Sequence, residues 1–236
     1  MAPIKLSARL LTLAKLVPTF GGVADVGTDH GYIPVWLAQH GHKSKLFATD
    51  INSAPLEHAK QTATEYGQND KISFYLCDGL SALNADEIST VIIAGMGGES
   101  IAEILAAASW TKGGPVLLIL QPMSKAAYLR RWLFNNGYRV LSEHLVDDGS
   151  IYEVLTAQAG EDKPYSPAEL LIGHRQLISS DALFENQLAN FIEKAERALS
   201  GLSASTKDED SARLTCAKET LSSLLELKKG NLPNGA

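Results

Sequence analysis

The segment Val23-Ala24-Asp25-Val26-Gly27-Thr28-Asp29-His30-Gly31 carries the clearest structural pattern in this chain of 236 residues. Its first four residues have the length and the apolar character of a short buried strand, and a loop with two glycines follows them. Pro34, a few residues later, suits the first turn of a helix. A strand, a glycine-containing loop and a helix in this order begin a βαβ unit, so the segment predicts a parallel sheet.

The alternation of strands and helices continues on both sides of this segment. Upstream, apolar residues at helical spacing between Ser7 and Pro18 predict an amphipathic helix ahead of the first strand. Downstream, four more short apolar runs alternate with helical stretches: Lys45 to Thr49, Ile72 to Leu76, Thr90 to Ala94 and Val116 to Leu120. The sequence therefore predicts an α/β fold whose parallel sheet is covered by helices on both faces.

The region from Tyr138 to Ala159 has a different pattern. Two β-like runs flank the turn signal Asp147-Asp148-Gly149-Ser150. Such a turn joins antiparallel strands, so we predict a hairpin that closes the sheet.

The composition changes after Gly160, where a polar linker, Glu161-Asp162-Lys163-Pro164, precedes a part that is rich in Leu, Ala, Glu and Lys and lacks strand signals. Apolar residues there step alternately by four and three, pause between Ser203 and Ser211, and then resume. This spacing predicts a helical hairpin of coiled-coil type. The residues are Phe184, Leu188, Phe191, Ala195, Ala198 and Leu202, followed by Leu214, Ala217, Leu221 and Leu224. We therefore predict two domains, residues 1–160 and 161–236.

The overall composition is that of a globular protein, with 45% hydrophobic and 20% charged residues, which excludes a largely disordered chain. No run approaches the roughly 18 apolar residues that span a bilayer, so we expect a cytoplasmic protein without a membrane partner. Cys77 and Cys216 lie far apart without metal-ligand spacing, so neither a disulfide framework nor a metal site is predicted.

The net charge of −6 argues against a protein that coats nucleic acid, although a local basic patch would still allow an enzyme to bind RNA. Two groups of basic residues could supply phosphate contacts, or could simply form solvated helix faces. The first group is Lys5, Arg9 and Lys15, and the second is Lys125, Arg130 and Arg131.

Acidic residues end three of the predicted strands, with Asp29 in the first loop, Asp50 after the second strand and Asp78 after the third. Ligands of such sheets bind outside the carboxyl ends of the strands. Asp50 follows Gly27 by 23 residues, near the spacing at which a carboxylate accepts hydrogen bonds from ribose hydroxyls. Each aspartate alone could be a strand-end cap, but together they indicate a nucleotide-like cofactor.

The loop composition distinguishes two such cofactors. A pyrophosphate needs closely spaced backbone N–H donors, usually Gly-x-Gly-x-x-Gly, whereas this loop has Gly27 and Gly31 with Asp29 midway between them. A carboxylate there would repel pyrophosphate but tolerate the cationic groups of S-adenosylmethionine. We therefore favour a methyl donor over NAD.

Glycines also follow the fourth strand, in Gly95-Met96-Gly97-Gly98, and Gln121-Pro122 follows the fifth. In many adenine methyltransferases the loop after strand four holds the target base, and glycines would permit that approach. The alternative is a tight turn into a helix that begins near Glu99.

Five motifs together resemble the bacterial tRNA (adenine(22)-N(1))-methyltransferase family, and the similarity covers essentially the whole chain. They are Leu6-Ser7-x-Arg9-Leu10, the run from Asp25 to Tyr32, Gly95-Met96-Gly97-Gly98, Leu120-Gln121-Pro122 and Tyr152-Glu153-Val154-Leu155. The resemblance implies a Rossmann-like class I methyltransferase domain followed by a coiled-coil-like helical domain. It also implies methyl transfer from S-adenosyl-L-methionine to N1 of adenine 22 in the D-arm of tRNA, which gives 1-methyladenosine.

The resemblance makes Asp29 the candidate catalytic residue. We expect this carboxylate to accept a hydrogen bond from the adenine amino group and to stabilise the positive charge that develops on the ring. The implied cofactor-binding residues are Arg9, Asp25, Gly27, His30, Gly31, Asp50, Ile51, Asp78, Gly79, Gly95 and Met96.

Two other functional classes stay open from the sequence. One is a methyltransferase for a small molecule or a protein, and the other is an interaction module that senses the cofactor through its first domain. The helical repeat could pack on itself or on a second chain, and we take a monomer as the expectation.

Overall fold

The computed structural model describes residues 2–203 and 210–230. The chain divides into two compact units, Met1–Asp162 and Lys163–Ala236, while the predicted division follows Gly160. Within the described ranges no helix is long and apolar enough to cross a membrane.

The first unit contains seven strands and five α-helices. The strands are β1 (Val23–Val26), β2 (Leu46–Asp50), β3 (Ile72–Leu76), β4 (Thr90–Gly97), β5 (Leu117–Ser124), β6 (Tyr138–Asp147) and β7 (Ile151–Ala159). The helices are α1 (Ala8–Leu16), α2 (Tyr32–Gln39), α3 (Ser53–Glu65), α4 (Gly98–Ala107) and α5 (Ala126–Asn135).

The strands form one sheet in the order β3-β2-β1-β4-β5-β7-β6. The first five in this order are parallel, and β7 pairs antiparallel with both β5 and β6. The chain lays down β1, β2 and β3 in one direction and then returns to place β4 on the other side of β1. This reversal creates the crevice in which open α/β sheets bind ligands. The predicted α/β sheet and its closing hairpin are confirmed.

Two strands continue beyond their predicted ends. The sequence predicts ends at Ala94 and Leu120, whereas β4 runs to Gly97 and β5 to Ser124. Glycine and proline usually end strands. Here register shifts on either side of Met96 let β4 pass the glycines, and Met96 aligns with Pro122. The structure therefore extends these two strands to the edge where the candidate site lies.

The core of this unit lies between the sheet and its helices. Leu13 of α1 and Val35 of α2 belong to one buried cluster with Ile92, Ile119 and Val154 of the strands. Full burial of such side chains contributes about 1.5–3 kcal/mol each. The helix predicted ahead of the first strand is α1, and its N-cap hydroxyl, Ser7 Oγ, accepts a hydrogen bond from the Leu10 amide. This packing holds the strand ends in fixed positions.

The second unit is helical, with α6 (Pro167–Ile172), α7 (Arg175–Ile178), α8 (Phe184–Ser203) and α9 (Asp210–Lys229). The two short helices α6 and α7 are not predicted from the sequence. At the start of α6, Ser166 and Glu169 form a reciprocal capping box, which satisfies two amide groups of the first turn. The signal for this helix start, Ser-Pro with Glu three residues after Ser, is present in the sequence.

The predicted apolar stripe of the helical hairpin is incomplete in α8, because it omits Ile192, which is buried together with Phe184 and Leu188. Ala198 is exposed but lines a groove with Leu202 of α8 and Ala217 of α9. An α-helix has 3.6 residues per turn, so a straight apolar face includes positions that a strict seven-residue repeat omits. Coiled-coil packing stays a prediction, and the predicted break between the helices falls mostly on residues 204–209, outside the described ranges.

Candidate active site

A cavity of about 890 Å³ opens at the carboxyl ends of β1, β2, β3 and β4, within the usual size range of ligand sites. The parallel register places these strand ends side by side, since Val26 aligns with both Thr49 and Ile93, and Asp50 aligns with Leu76. Seven of the predicted cofactor residues line this cavity: Gly27, Asp50, Ile51, Asp78, Gly79, Gly95 and Met96.

Asp50, the last residue of β2, is held by two hydrogen bonds from backbone amides. Its Oδ1 accepts a hydrogen bond of 2.8 Å from the Asn52 amide, and its carbonyl accepts one of 3.0 Å from the Cys77 amide. No described residue donates a hydrogen bond to Asp50 Oδ2. The side chain is therefore oriented but keeps an acceptor for a ligand hydroxyl.

Asp78 lies two residues after the end of β3 and is exposed. The loop behind it is held by Thr49, whose hydroxyl donates to the Gly79 carbonyl at 2.9 Å. The carboxylates of Asp50 and Asp78 thus end two adjacent strands and line the same cavity.

An apolar surface accompanies these carboxylates. Ile51 is 63% exposed, and Leu80, Ile104 and Trp110 also line the cavity. Exposed apolar side chains in a concave site fit the flat faces of a purine. The sequence prediction missed the wall formed by α4, which consists of Ser100, Glu103, Ile104 and Ala107. Their spacing of i, i+3, i+4 and i+7 on a helix that follows a strand-end loop was a usable signal.

The loop after β1 turns sharply at Gly27. The amides of Gly27 and Thr28 both donate to the Thr49 carbonyl, at 2.8 and 3.0 Å. Gly27 has φ +67°, and a Cβ at this position would lie 2.1 Å from Met96 Cε. Glycine is therefore required both for the backbone conformation and for the approach of Met96.

Asp25 lies beneath this loop and outside the cavity lining. The residue is 6% exposed, and its Oδ2 accepts a hydrogen bond of 2.6 Å from the Thr28 hydroxyl. Burial raises the pKa of the Asp25 carboxyl to about 7, the Thr28 hydrogen bond opposes this rise, and the nearby charge of Asp50 adds to it. The structure therefore makes Asp25 a support for the loop that carries Asp29.

Asp29 itself is on the surface of this edge. Its side chain is 65% exposed, its φ is +47°, and its Oδ2 lies 3.6 Å from His30 Nε2. The His30 ring stacks on Tyr32 and on His58, with centroid distances of 5.2 and 5.4 Å. Ligand atoms of Asp29, His30 and His58 lie within 4.8 Å of one another, but all three residues are exposed and we assign no metal to them.

Three further predicted cofactor residues, Arg9, His30 and Gly31, also lie outside the cavity lining. Gly31 is the N-cap of α2. A Cβ on Gly31 would lie 3.0 Å from Ala59 Cβ, so the close contact of this glycine is with α3. Arg9 is half-buried beside Gly95, and its guanidinium lies 5.3 Å from the ring centroid of Tyr152.

The suggested phosphate contact through Arg130 is wrong. This side chain is 1% exposed and forms ion pairs with Glu143 and Glu153. The other two members of that basic group are on the surface, where Lys125 pairs with Glu99 and Arg131 is exposed. A buried guanidinium with two carboxylate partners links α5 to the β6–β7 hairpin and cannot reach RNA.

Comparisons with known proteins agree with this arrangement. A family model described as "Methyltransferase domain" matches residues 6–155. A tRNA (adenine(22)-N(1))-methyltransferase of Bacillus subtilis (strain 168) is 38% identical over 175 residues, which cover 73% of this chain and 74% of that protein.

Solved structures extend the similarity to nearly the whole chain. The crystal structure of the B. subtilis m1A22 tRNA methyltransferase matches with a TM-score of 0.84 and 30% identity, covering 94% of this chain and 98% of that one. A putative tRNA (m1A22) methyltransferase from Streptococcus pneumoniae, in complex with S-adenosyl-L-methionine, matches with a TM-score of 0.76 and 28% identity, covering 92% and 100%. The chain therefore belongs to the tRNA (adenine(22)-N(1))-methyltransferase family.

Proposed function

We propose that this protein methylates N1 of adenine 22 in the D-arm of tRNA, using S-adenosyl-L-methionine and producing 1-methyladenosine. The observation that carries the proposal is that Gly27, Asp50, Asp78 and Gly95 line one cavity at the switch point of the sheet. The B. subtilis enzyme, which matches this chain both in sequence and in its crystal structure, carries this activity in its name and supports the same reaction.

The cavity suits the nucleoside part of this cofactor. Asp50 would accept hydrogen bonds from the ribose hydroxyls, and Asp78 would accept one from the adenine amino group. Ile51 and Ile104 would pack on the purine ring, since both line the cavity with apolar surface. The strand order in the sheet is β3, β2, β1, β4. A cofactor whose nucleoside lies at the ends of β3 and β2 would therefore place its amino-acid part toward Gly27 and Gly95, at the ends of β1 and β4.

When bound, S-adenosylmethionine supplies an electrophilic methyl group on a cationic sulfur. N1 of neutral adenine has an available lone pair, so the protein needs to align this nucleophile and does not need to remove a proton first. Asp29 would accept a hydrogen bond from the adenine amino group, which raises the electron density at N1. The same carboxylate would stabilise the positive charge that the ring acquires.

The target base must leave its pairing before it reacts, because N1 lies on the Watson–Crick edge. Such extrusion costs a few kcal/mol, which contacts in the pocket must offset. Gly95 lines the cavity, and a Cβ at this position would meet only Arg9 Nη1 among the described residues, at 4.0 Å, so the β4 end leaves room for a base there. The exposed rings of His30 and Tyr32 offer stacking surfaces beside Asp29.

The tRNA would also contact basic side chains on the surface. Lys5, Lys15 and Arg131 are exposed, and Lys125 holds its pair with Glu99 at the surface, where such pairs exchange easily. Removal of a true phosphate contact would reduce the salt dependence of tRNA binding. A cytoplasmic location and a monomeric state remain part of the proposal, and analytical ultracentrifugation tests the second.

The test is to incubate the full-length protein with labelled S-adenosylmethionine and unmodified tRNA transcripts that differ only in having adenine or guanine at position 22. Digestion then identifies the labelled nucleoside. We expect labelled 1-methyladenosine from the adenine transcript alone. Label at another position, or no transfer despite measured cofactor binding, would require a different acceptor.

A further inference from the structure

Three aromatic rings form a column beside Asp29. The His30 ring lies between the rings of Tyr32 and His58, with centroid distances of 5.2 and 5.4 Å and interplanar angles of 14° and 10°. Tyr32 belongs to the same segment as His30, at the start of α2, whereas His58 belongs to α3. The contact between His30 and His58 therefore links the loop after β1 to a separate helix.

The carboxylate of Asp29 depends on this column for its orientation. Its side chain is 65% exposed, and its polar partner among the described residues is His30, whose Nε2 lies 3.6 Å from Asp29 Oδ2. Exposed side chains on loops exchange between rotamers. A carboxylate that must meet one edge of a bound adenine therefore needs a restrained neighbour, and His30 is that neighbour.

The backbone of the loop restrains His30 only in part. Asp29 and Gly31, on either side of it, both have left-handed conformations, with φ of +47° and +67°. Left-handed residues turn the chain sharply and so set the direction in which His30 leaves the backbone. The orientation of its ring is still decided by what the ring packs against, and His58 supplies one of the two faces.

The helix α3 is a firm support for this contact. Ala59 is fully buried, which ties the helix to the core of the unit. The same residue meets the loop, because a Cβ on Gly31 would lie 3.0 Å from Ala59 Cβ. Two consecutive residues of α3, His58 and Ala59, thus contact two consecutive residues of the loop, His30 and Gly31. The helix holds the loop through a stacked ring and through close packing.

We propose that His58 is a positioning residue for methyl transfer, because its ring holds the His30 ring and, through it, the carboxylate of Asp29. This inference rests on the proposed function and names a residue on which that reaction depends. His58 lies outside the cavity lining, so its effect is on the target base and not on the cofactor. The nearly parallel planes of the two imidazoles suit stacking, since ring nitrogens that share one metal ion have to converge on it.

The test measures single-turnover methylation of the transcript with adenine at position 22 by the full-length protein, at saturating concentrations of S-adenosylmethionine and tRNA. A stacked pair of rings contributes up to about tenfold to an equilibrium. We expect His58→Ala to lower the rate by about fivefold to tenfold. The dissociation constants of S-adenosylmethionine and of tRNA should change by less than about twofold.

Two substitutions separate the ring from its nitrogens. A ring nitrogen of His58 lies within 4.8 Å of a carboxylate oxygen of Asp29, so a polar effect has to be tested as well. His58→Phe keeps a ring and should retain the wild-type rate within about twofold. His58→Gln keeps a polar group without a ring and should be as slow as His58→Ala. A fast His58→Gln together with a slow His58→Phe would overturn the stacking role.

The route through His30 has its own readouts. If His58 acts through His30, the double variant His30→Ala/His58→Ala should be no slower than His30→Ala alone. Multiplied losses in the double variant would overturn this route. Nuclear magnetic resonance of protein with isotope-labelled histidine reports the stack without any substrate. The ring protons of His30 should shift in His58→Ala, because the ring current of the neighbour is lost.

His40 provides a matched control, because it is an exposed histidine at the other end of α2 whose ring stacks on Trp36 at 3.8 Å. His40→Ala removes the same side chain and an equivalent stack away from Asp29. This variant should keep the methylation rate within about twofold of wild type, and the resonances of His30 should stay in place.

The remaining outcomes separate this inference from the proposed function. A shifted His30 resonance with an unchanged rate in His58→Ala would overturn the inference alone. Weaker tRNA binding at an unchanged rate would do the same, since His58 would then be an RNA contact. A wild-type protein that binds S-adenosylmethionine but does not methylate adenine 22 would refute the proposed function, and the inference with it.

Discussion

The carboxyl group of Asp25 accepts a hydrogen bond from the Thr28 hydroxyl at 2.6 Å, directly beneath the loop that carries Asp29. Burial raises the pKa of this carboxyl from 3.8 to about 7, against the effect of the Thr28 hydrogen bond and with an added contribution from the Asp50 charge. The folded protein therefore keeps a proton that the unfolded chain releases between about pH 4 and pH 7.

This difference predicts a specific pH dependence of stability. Because the pKa is raised in the folded state, the contribution of Asp25 to the free energy of unfolding falls as pH rises from about 4 to about 7 and is constant above. The total effect is on the order of 4 kcal/mol. The asparagine in Asp25→Asn has no titratable proton. The free energy of unfolding of this variant, relative to that of wild type, should therefore increase as pH rises across that range. Urea denaturation at about pH 5 and pH 8 measures this change.

The matched control is Asp70→Asn, because Asp70 is exposed. Its stability relative to wild type should differ little between the two pH values. If Asp25→Asn behaves in the same way as this control, the Asp25 carboxyl is ionised in the folded protein, and the structural account of the loop is wrong.

A second prediction concerns Arg130, which is buried between Glu143 and Glu153. Arg130→Met would remove the cation beside one buried carboxylate, Glu143, and one mostly buried carboxylate, Glu153. Removing one member of a buried ion pair costs about 3–5 kcal/mol. The neighbouring Arg131 is exposed, and Arg131→Met should change stability by less than about 0.5 kcal/mol. Urea denaturation of the two variants compares these values, and similar small losses in both would contradict the role of the buried pairs.

The sequence predicted the sheet because short apolar runs and helices alternate at the pitch of βαβ units. It did not predict that β4 and β5 continue past Gly95 and Pro122, since local propensity ends a strand at such residues. The pairing of β4 with β5 outweighs that propensity. This pairing, in which Met96 aligns with Pro122, is a property of the folded sheet and has no local sequence signal. In the helical unit, the strict repeat omitted Ile192, whereas the helix buries it.

The candidate site was predictable to the extent that its residues lie at the carboxyl ends of strands. Asp50 is the last residue of β2, Asp78 lies two residues after the end of β3, and both line the cavity. The contact of Arg9 with Gln121 joins residues 112 positions apart, and no spacing rule connects an N-terminal helix with the end of β5. Likewise, nothing in the sequence indicates that His58 stacks on His30, because this contact depends on how α3 packs beside the loop.

A third prediction tests the nucleoside end of the cavity. Asp50→Asn should weaken S-adenosylmethionine binding by about tenfold to hundredfold, because hydrogen bonds from ribose hydroxyls to a carboxylate are charge-assisted. Asp78→Asn should lose less, since Asp78 is exposed and water can replace part of its contact. Calorimetry with adenosine as a second probe should show the same order. A loss for Asp50→Asn no larger than that for Asp70→Asn would remove Asp50 from the site.

The last prediction separates catalysis from binding at Asp29. Asn is the informative substitution because it tolerates the positive φ of +47° at this position, so the loop should keep its conformation. It also keeps an oxygen that accepts a hydrogen bond but lacks the negative charge. If Asp29 stabilises charge on the adenine ring, Asp29→Asn should reduce turnover on tRNA by about 100-fold or more, with little change in the dissociation constant of S-adenosylmethionine. Single-turnover methylation and calorimetry measure the two quantities. Equal losses in both would make Asp29 a cofactor ligand, and unchanged turnover would exclude it from the reaction.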